Sequence, residues 1–291
     1  AMSELLQFVF SGLTVGAVYA LVALGFTIIY NASDVVNFAQ GEFVMLGGMI
    51  TFFAWDAGLP LWSAAVLAIA LTALVGALLN KLAIEPARNA PIVSLIIITI
   101  GASIFLRGLA QLIFDKQLHR FPAFTGEAPI SVGGATILPQ SLWVLAGAAI
   151  VFVALFGFFN LTLVGKSILA TANNRLAARL VGIDTNLVML LSFALAAAIG
   201  AVAGVLVTPI TLTSAESGVM LALKGFAAAM LGGMGNPFGA LIGGIAIGLI
   251  EAMTAGYISS DYKDAAAFVV IIAVLFVMPR GLFGAKITER V

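Results

Sequence analysis

Three polar side chains fall within six residues of an otherwise apolar stretch. They are Asn37, Gln40 and Glu42 in NFAQGEFVMLGGM, residues 37–49. Far downstream a second group, Thr208, Thr211, Thr213, Ser214 and Glu216, interrupts apolar sequence again. Glu251 stands alone in a further apolar run. Side chains set in grease this way do one of two things. They line a path for a polar or amphipathic solute, the default reading of an ionisable group inside a membrane span. Otherwise they hold helices together as protonated or hydrogen-bonded struts. Asn37, Gln40, Glu42, Thr208, Glu216 and Glu251 are the candidate translocation-path residues, and for Glu42 and Glu251 both readings stand.

No enzyme constellation accompanies them. His119 is the only histidine and falls in a polar loop, where it reads as solvated. There is no cysteine, so there is no thiolate nucleophile or thiolate metal site. No cofactor or metal is expected. The segment NLTLVGKS, residues 160–167, ends like a phosphate-binding loop but has Asn160 where the first glycine is required. It also follows an apolar run long enough to span, not a strand. Any ATP that drives this protein is hydrolysed by another subunit.

The elements that must position these residues are membrane helices. Of 291 residues, 62% are hydrophobic and 9% charged, against roughly 25% charged in a soluble domain. Runs such as AAAFVVIIAVLFVM are continuous, not alternating, which argues against a β-barrel. The expected fold is all-α: one polytopic permease domain, 1–291, of about eight spans, some short or broken. Full crossings are expected near 5–29, 61–79, 92–114, 142–159, 187–207, 238–255 and 265–278. Two segments, 43–54 and 219–234, are too short or too glycine-broken to cross alone. The beginning, AMSELLQFVF, has no basic n-region and reads as the edge of the first span, not a signal peptide.

Basic residues in short loops set the orientation. Alternate loops carry Lys81 and Arg88, then Lys166, Arg175 and Arg179, then Arg280, Lys286 and Arg290. These loops, and with them the C-terminus, are expected in the cytoplasm. The opposite loops mix Lys116, Arg120 and Lys263 with Asp56, Asp115, Glu127, Asp261 and Asp264. Arg107 lies about 22 Å up its span at 1.5 Å per residue. It is expected to snorkel to the outer interface.

MLGGM occurs at 45–49 and again at 230–234, each time in a short segment after a full span and a polar break. The preceding spans each carry a Gly-xxx-Gly, at Gly12 and Gly16 and at Gly200 and Gly204. The offsets are 185 and 188 residues. Chance matches are cheap in so glycine-rich a chain. The pattern nonetheless describes an inverted repeat with tentative halves 1–160 and 186–291, joined by a segment 161–185. Two broken helices, one per half, are the best sequence pointer to a transport path.

The joining segment contains KSILATANNRLAARLVGIDTN, residues 166–186, helical by propensity up to Gly182. Leu169, Ala172, Leu176 and Leu180 fall near one face, and Arg175 and Arg179 share another. Two readings fit: a helix lying on anionic lipid, or one that docks a cytoplasmic partner.

Three stretches resemble the LivH-type permease subunits of branched-chain amino acid ABC importers. GAVYALVALGFTIIYNASDVVNFAQGEFVMLGG is similar to that family's first span and its Asn-Phe-Ala-x-Gly-Glu motif, here with Gln40 where histidine is frequent. ATANNRLAARLVGID resembles its ATPase-docking helix. KGFAAAMLGGMGNPFGALIGGIAIGLIEA with YKDAAAFVVIIAVLFVMPRGLFG resembles its C-terminal third. The resemblance implies a coupling helix carrying Ala172, Asn173, Arg175, Ala178, Arg179, Gly182 and Ile183. It also implies a second homologous permease subunit (the same or a different chain), two cytoplasmic ATPase subunits and a soluble substrate-binding protein. The setting it implies is a bacterial inner membrane. No nucleic acid is expected as a partner. The expected function is import of branched-chain or related small neutral amino acids by alternating access. A stand-alone ion-coupled carrier or channel, with Glu42 or Glu251 as the ion site, is the alternative from a different class.

Overall fold

The computed structural model describes residues 2–284. Eleven α-helices follow one another: α1 Met2–Ser33, α2 Gln40–Asp56, α3 Leu61–Leu79, α4 Ile92–Ile113, α5 Pro139–Leu161, α6 Leu163–Asn173, α7 Arg175–Leu180, α8 Thr185–Thr211, α9 Ser217–Gly232, α10 Pro237–Tyr257 and α11 Lys263–Val277. A π-helical turn, Asn80–Ile84, extends α3. Six of these helices are long and apolar enough to cross a membrane: α1, α3 with its extension, α4, α5, α8 and α10. The expected last span, α11, has 15 residues, and α2 and α9 have 17 and 16. About eight crossings is therefore a rough match. Lys286 and Arg290 lie outside the described residues.

Local sequence sets the helix ends. Pro60 and Pro91 immediately precede α3 and α4, and Pro139 and Pro237 open α5 and α10. At a helix start the missing N–H and the fixed φ cost nothing. The long polar stretch after α4 holds a small hairpin, β1 Ile130–Val132 against β2 Ala135–Ile137. Gly133 and Gly134 turn it with φ of 59° and 84°, the left-handed pair that a two-residue loop needs.

The bundle is built inside out. α1 is enclosed over most of its length, followed by α8, while α4 and α5 keep most of their surface outward. Helices in lipid associate by close packing of small residues rather than by hydrophobic burial. The α1–α10 contact shows this. Gly12 and Gly16 face Gly248 and Gly244, so near that a Cβ on Gly248 would sit 2.3 Å from the Gly16 nitrogen. Gly200 and Gly204 serve a different neighbour, α2, where a Cβ on Gly204 would lie 2.0 Å from the Val44 oxygen. The two Gly-xxx-Gly pairs are thus not equivalent positions.

The repeat is real in packing but has another register. α1 packs most closely on α10, and α3 on α8, so of the two sets of four, α1–α4 and α8–α11, the first helix of each lies against the third of the other. α1 and α8 run antiparallel, because Ile29 and Val35 cluster with Met189 and Phe193, while Gln7 and Phe10 approach Ile210 at the far end. α2 runs along α8, from Gln40 beside Gly200 to Gly48 beside Thr208. α9 runs along α1, from Lys224 near Tyr19 to the turn at Gly235 beside Asn31. The matching helix starts are Gln40 with Ser217, and Leu61 with Pro237, offsets of 177 and 176 residues. MLGGM therefore sits mid-helix in α2 but at the end of α9. Its recurrence reflects composition, not equivalence.

The two half-helix starts meet. A Cβ on Gly41 would lie 2.1 Å from the Gly218 oxygen, and one on Gly218 would lie 2.4 Å from the Gly41 oxygen. Both obstacles are backbone. Gly41→Val is expected to destabilise the detergent-purified protein by at least the ~1–3 kcal/mol typical of overpacking. Gly101→Ala, on an open face of α4, is expected to leave the melting temperature unchanged or slightly raised, as helix propensity dictates. A thermal melt of the two variants beside the parent checks both.

Candidate functional site

The first break is organised by its own polar residues. α1 ends at Ser33, whose hydroxyl donates to the Ile29 carbonyl (2.7 Å) and accepts from the Val35 N–H (3.2 Å). Asp34 takes a left-handed φ of 57°. Asn37 Oδ1 accepts from the Ala39 N–H (3.1 Å), and the Thr99 hydroxyl accepts from the Phe38 N–H (3.2 Å). Irregular backbone at this depth persists because side chains supply the partners that hydrocarbon cannot.

Asn37, Gln40 and Glu42 are all buried and lie together around the start of α2. Gln40 Nε2 donates to the Ala196 carbonyl (3.0 Å), and its amide fills the space that Gly25 and Gly200 leave open. Glu42, 1% exposed, accepts through Oε1 from Ser103 (2.8 Å) and from Arg107 Nη2 (3.0 Å). Its position in the first turn of α2 suits a carboxylate, because the helix start is the positive end of the macrodipole. Three buried polar atoms here have no hydrogen-bond partner among the described residues: Asn37 Nδ2, Gln40 Oε1 and Glu42 Oε2. Arg107 does not reach outward as expected but turns inward to Glu42.

The remaining candidates divide. Thr208 is buried beside Gly48, but its hydroxyl donates to its own helix at Gly204 (2.6 Å), so it packs α8 on α2. Glu216 precedes α9, is exposed, and faces Gln111 Nε2 at 3.5 Å. Glu251 belongs to another cluster. Lys224 of α9, 1% exposed, pairs with Glu251 of α10 and with Asp264 of α11 (2.7 Å). The Tyr19 hydroxyl donates to the second Glu251 oxygen (2.8 Å), and Lys224 also stands 5.3 Å from the centre of the Phe268 ring. Lys224 was not singled out in the sequence, although a lysine inside an apolar half-helix is itself a signal.

His119 is also more than a solvated loop residue. Its ring stacks on Phe52 at 4.3 Å, and its Nε2 lies 2.7 Å from Asp115. That hydrogen bond holds the Asp115 carboxyl below the usual carboxylate range. The His119 backbone exchanges two hydrogen bonds with Thr213 in the second break. The loop after α4 therefore pins the end of α2 to the turn between α8 and α9.

At the opposite, basic end the expected single helix is two. Asn174 is extended (φ −158°, ψ 103°), ends α6, and caps α7 by accepting from the Ala177 N–H at 2.9 Å. Gly182 closes α7 with φ of 89° and open space around it. Ala172 and Asn173 are exposed at the end of α6, Ala178 is buried, and Leu176, Leu180 and Val181 are exposed. Arg175 and Arg179 join Arg88 and Ile183 around a cavity of about 630 Å³. Burial and then the adjacent Arg179 charge push the Arg175 guanidinium below its ordinary value, which Asp34 partly offsets. Asn160 to Ser167, the fragment resembling a phosphate loop, is the junction of α5 and α6 and follows a helix.

A helical bundle with two opposed half-helices, buried polar groups at their meeting point and an arginine-lined cavity at one end has the build of a membrane permease. The chain belongs to the family described as branched-chain amino acid transport system / permease component, whose model matches residues 8–275. It is 34% identical to the high-affinity branched-chain amino acid transport system permease protein LivH of Escherichia coli K12, over 98% of this chain and 97% of that one. It is 32% identical to the corresponding BraD protein of Pseudomonas aeruginosa, over 98% of each. More distantly, the ribose import permease protein RbsC of Haemophilus influenzae is 28% identical, over 89% of this chain and 81% of that one.

Lys224→Met leaves Glu251 buried beside Tyr19 without its cation. The expected loss of stability is about 3–5 kcal/mol, the range for breaking one side of a buried pair. Lys224→Met with Glu251→Leu is expected to recover most of it. Denaturant unfolding of both variants in detergent reads the difference.

Proposed function

We propose that this chain is the translocating subunit of an ATP-driven importer of branched-chain amino acids. A second permease of the same family completes the path, two ATPase subunits sit at the basic end, and a soluble binding protein delivers solute at the other. Lys81, Arg88, Arg175 and Arg179 support a cytoplasmic basic end by the positive-inside rule, in a bacterial inner membrane. The family match and the LivH and BraD relatives support the solute class.

One observation carries the reading. The starts of α2 and α9 meet backbone to backbone at Gly41 and Gly218, with Asn37, Gln40 and Glu42 buried around them. Beside them Arg107 and Gln111 are half-buried and Glu216 is exposed. Charged groups on a spanning surface do not rest against hydrocarbon, so a second subunit is needed to enclose them over a wet path. The halves 1–160 and 186–291 then move against each other as the ATPases cycle. The joining segment 161–185 takes up the ATPase motion through the exposed residues Leu176 and Leu180 and the arginines of α7. Alternating access follows from the opposed directions of the two halves.

The test uses the complete importer in proteoliposomes with leucine. Uptake is expected to require ATP and to survive an uncoupler; the reverse pattern belongs to an ion-coupled carrier and overturns the proposal. Arg175→Glu and Gly182→Asp are expected to insert normally yet lower uptake by at least about tenfold, as a charge of the wrong sign on a docked surface does. Pull-down of the ATPase with each variant identifies the step that fails. Full uptake in both variants excludes the docking role.

A further inference from the structure

α4 carries a polar side chain at every fourth position through its apolar sequence: Thr99, Ser103, Arg107 and Gln111, a rise of about 18 Å. Residues four apart share one helix face, and each of these meets a break. Thr99 holds the first break through Val36 and Phe38. Ser103 and Arg107 hold Glu42, and Gln111 meets Glu216. One helix therefore reads the starts of both half-helices on consecutive turns.

The charges on this face do not balance. Two carboxylates meet this face, Glu42 at Arg107 and Glu216 at Gln111, and it carries one guanidinium. Arg107 spends Nε and Nη2 on Glu42 Oε1 and Ser103 Oγ, fewer than its five donors. Glu42 Oε2 is buried and has no partner among the described residues. The Gln111–Glu216 contact, 3.5 Å, is at the limit for a hydrogen bond. Acceptor oxygens on Glu42 and Glu216 are therefore unfilled by any cation among the described residues, and the guanidinium has an edge to spare. An α-amino-acid zwitterion supplies both complements, an ammonium with three donors beside a carboxylate suited to a bidentate guanidinium.

We propose that this face of α4 reads the head group of the solute, with Arg107 taking the carboxylate and Glu216, with Glu42 Oε2, taking the ammonium. The proposal rests on the importer reading and adds to it the residues that recognise a zwitterion. The apolar tail then lies along the exposed Met220 and Leu223 on the adjoining surface of α9. A neutral sugar satisfies neither charge, which separates this path chemically from one built for a polyol.

The experiment again uses the full importer in proteoliposomes, with leucine and its loaded binding protein. Glu216→Gln and Arg107→Lys, which keeps a cation for Glu42 but loses the guanidinium fork, are each expected to lower the maximal uptake rate by at least about tenfold, the loss of one charge-assisted hydrogen bond. The loaded binding protein should show an unchanged KM and still stimulate ATP hydrolysis to within twofold of the parent, so that less leucine moves per ATP. A structural role for these residues would instead lower hydrolysis and uptake together, and that outcome overturns the proposal, as does full uptake in Glu216→Gln. If the unmodified importer moves no leucine with ATP, the importer reading itself fails. A second measurement is independent of uptake. The chain has no cysteine, so Glu216→Cys introduces its only thiol. It should react with a charged, membrane-impermeant thiol reagent and be slowed by leucine-loaded binding protein with ATP. Ile97→Cys, on the open apolar side of α4, should stay unreactive. Equal inertness at both positions removes the wet path and the proposal with it.

Discussion

Two helix starts that meet backbone to backbone inside a membrane bundle leave no room for a side chain at either position. Gly41 and Gly218 satisfy that constraint reciprocally, and much of the remaining structure follows from it. Breaking two helices at depth frees backbone groups that hydrocarbon cannot satisfy. Asn37 and Thr99 take up those of the first break, and Thr213 pairs with the His119 backbone at the second. The positive ends of both half-helices then point toward one region, and carboxylates follow: Glu42 in the first turn of α2 and Glu216 just before α9.

Much of this was legible in the sequence, for physical reasons. Hydropathy alone located the spans, because a 20-residue apolar run has few other uses. The polar triad at 37–42 marked the first break, since polar groups in apolar sequence need a purpose. Register was not legible. MLGGM and the Gly-xxx-Gly pairs suggested offsets of 185 and 188, whereas the helix starts match at 176 and 177. Glycine in a membrane bundle marks close approach to some neighbour without saying which. Gly12 and Gly16 meet α10, and Gly200 and Gly204 meet α2, so identical motifs do unlike work.

Partners across the bundle were equally hidden. Arg107 lies near enough to one end of its span to suggest a charge reaching for the interface. Only the packing of α4 on α2 shows the nearer carboxylate. The pairing of Lys224 was hidden because its partners Glu251 and Asp264 are 27 and 40 residues away. The extended backbone of Asn174 escaped for a different reason. Two consecutive asparagines, Asn173 and Asn174, are compatible with a continuous helix, yet the side chain of the second caps a new one.

The two buried ion pairs have a common logic. Glu42 of α2 pairs with Arg107 of α4, and Lys224 of α9 pairs with Glu251 of α10 and Asp264 of α11. In each case the half-helix is tied by charge to helices that follow it in its own set of four. Its other side lies along the first helix of the opposite set, α8 for α2 and α1 for α9, through glycines and small side chains. Separating a buried ion pair is expensive, whereas sliding small apolar residues past one another forfeits only weak individual contacts. The polar ties that cross that boundary near the half-helices are hydrogen bonds rather than ion pairs: Gln40 to Ala196, the Tyr19 hydroxyl on Glu251, Asn31 to Gly235, Gln111 to Glu216 and the paired backbones of His119 and Thr213. A displacement of one set against the other would therefore break hydrogen bonds and slide glycine-lined surfaces while leaving both ion pairs closed. On the proposed importer cycle the half-helix starts would travel with opposite sets, and the point where they meet would open or close with both ion pairs intact.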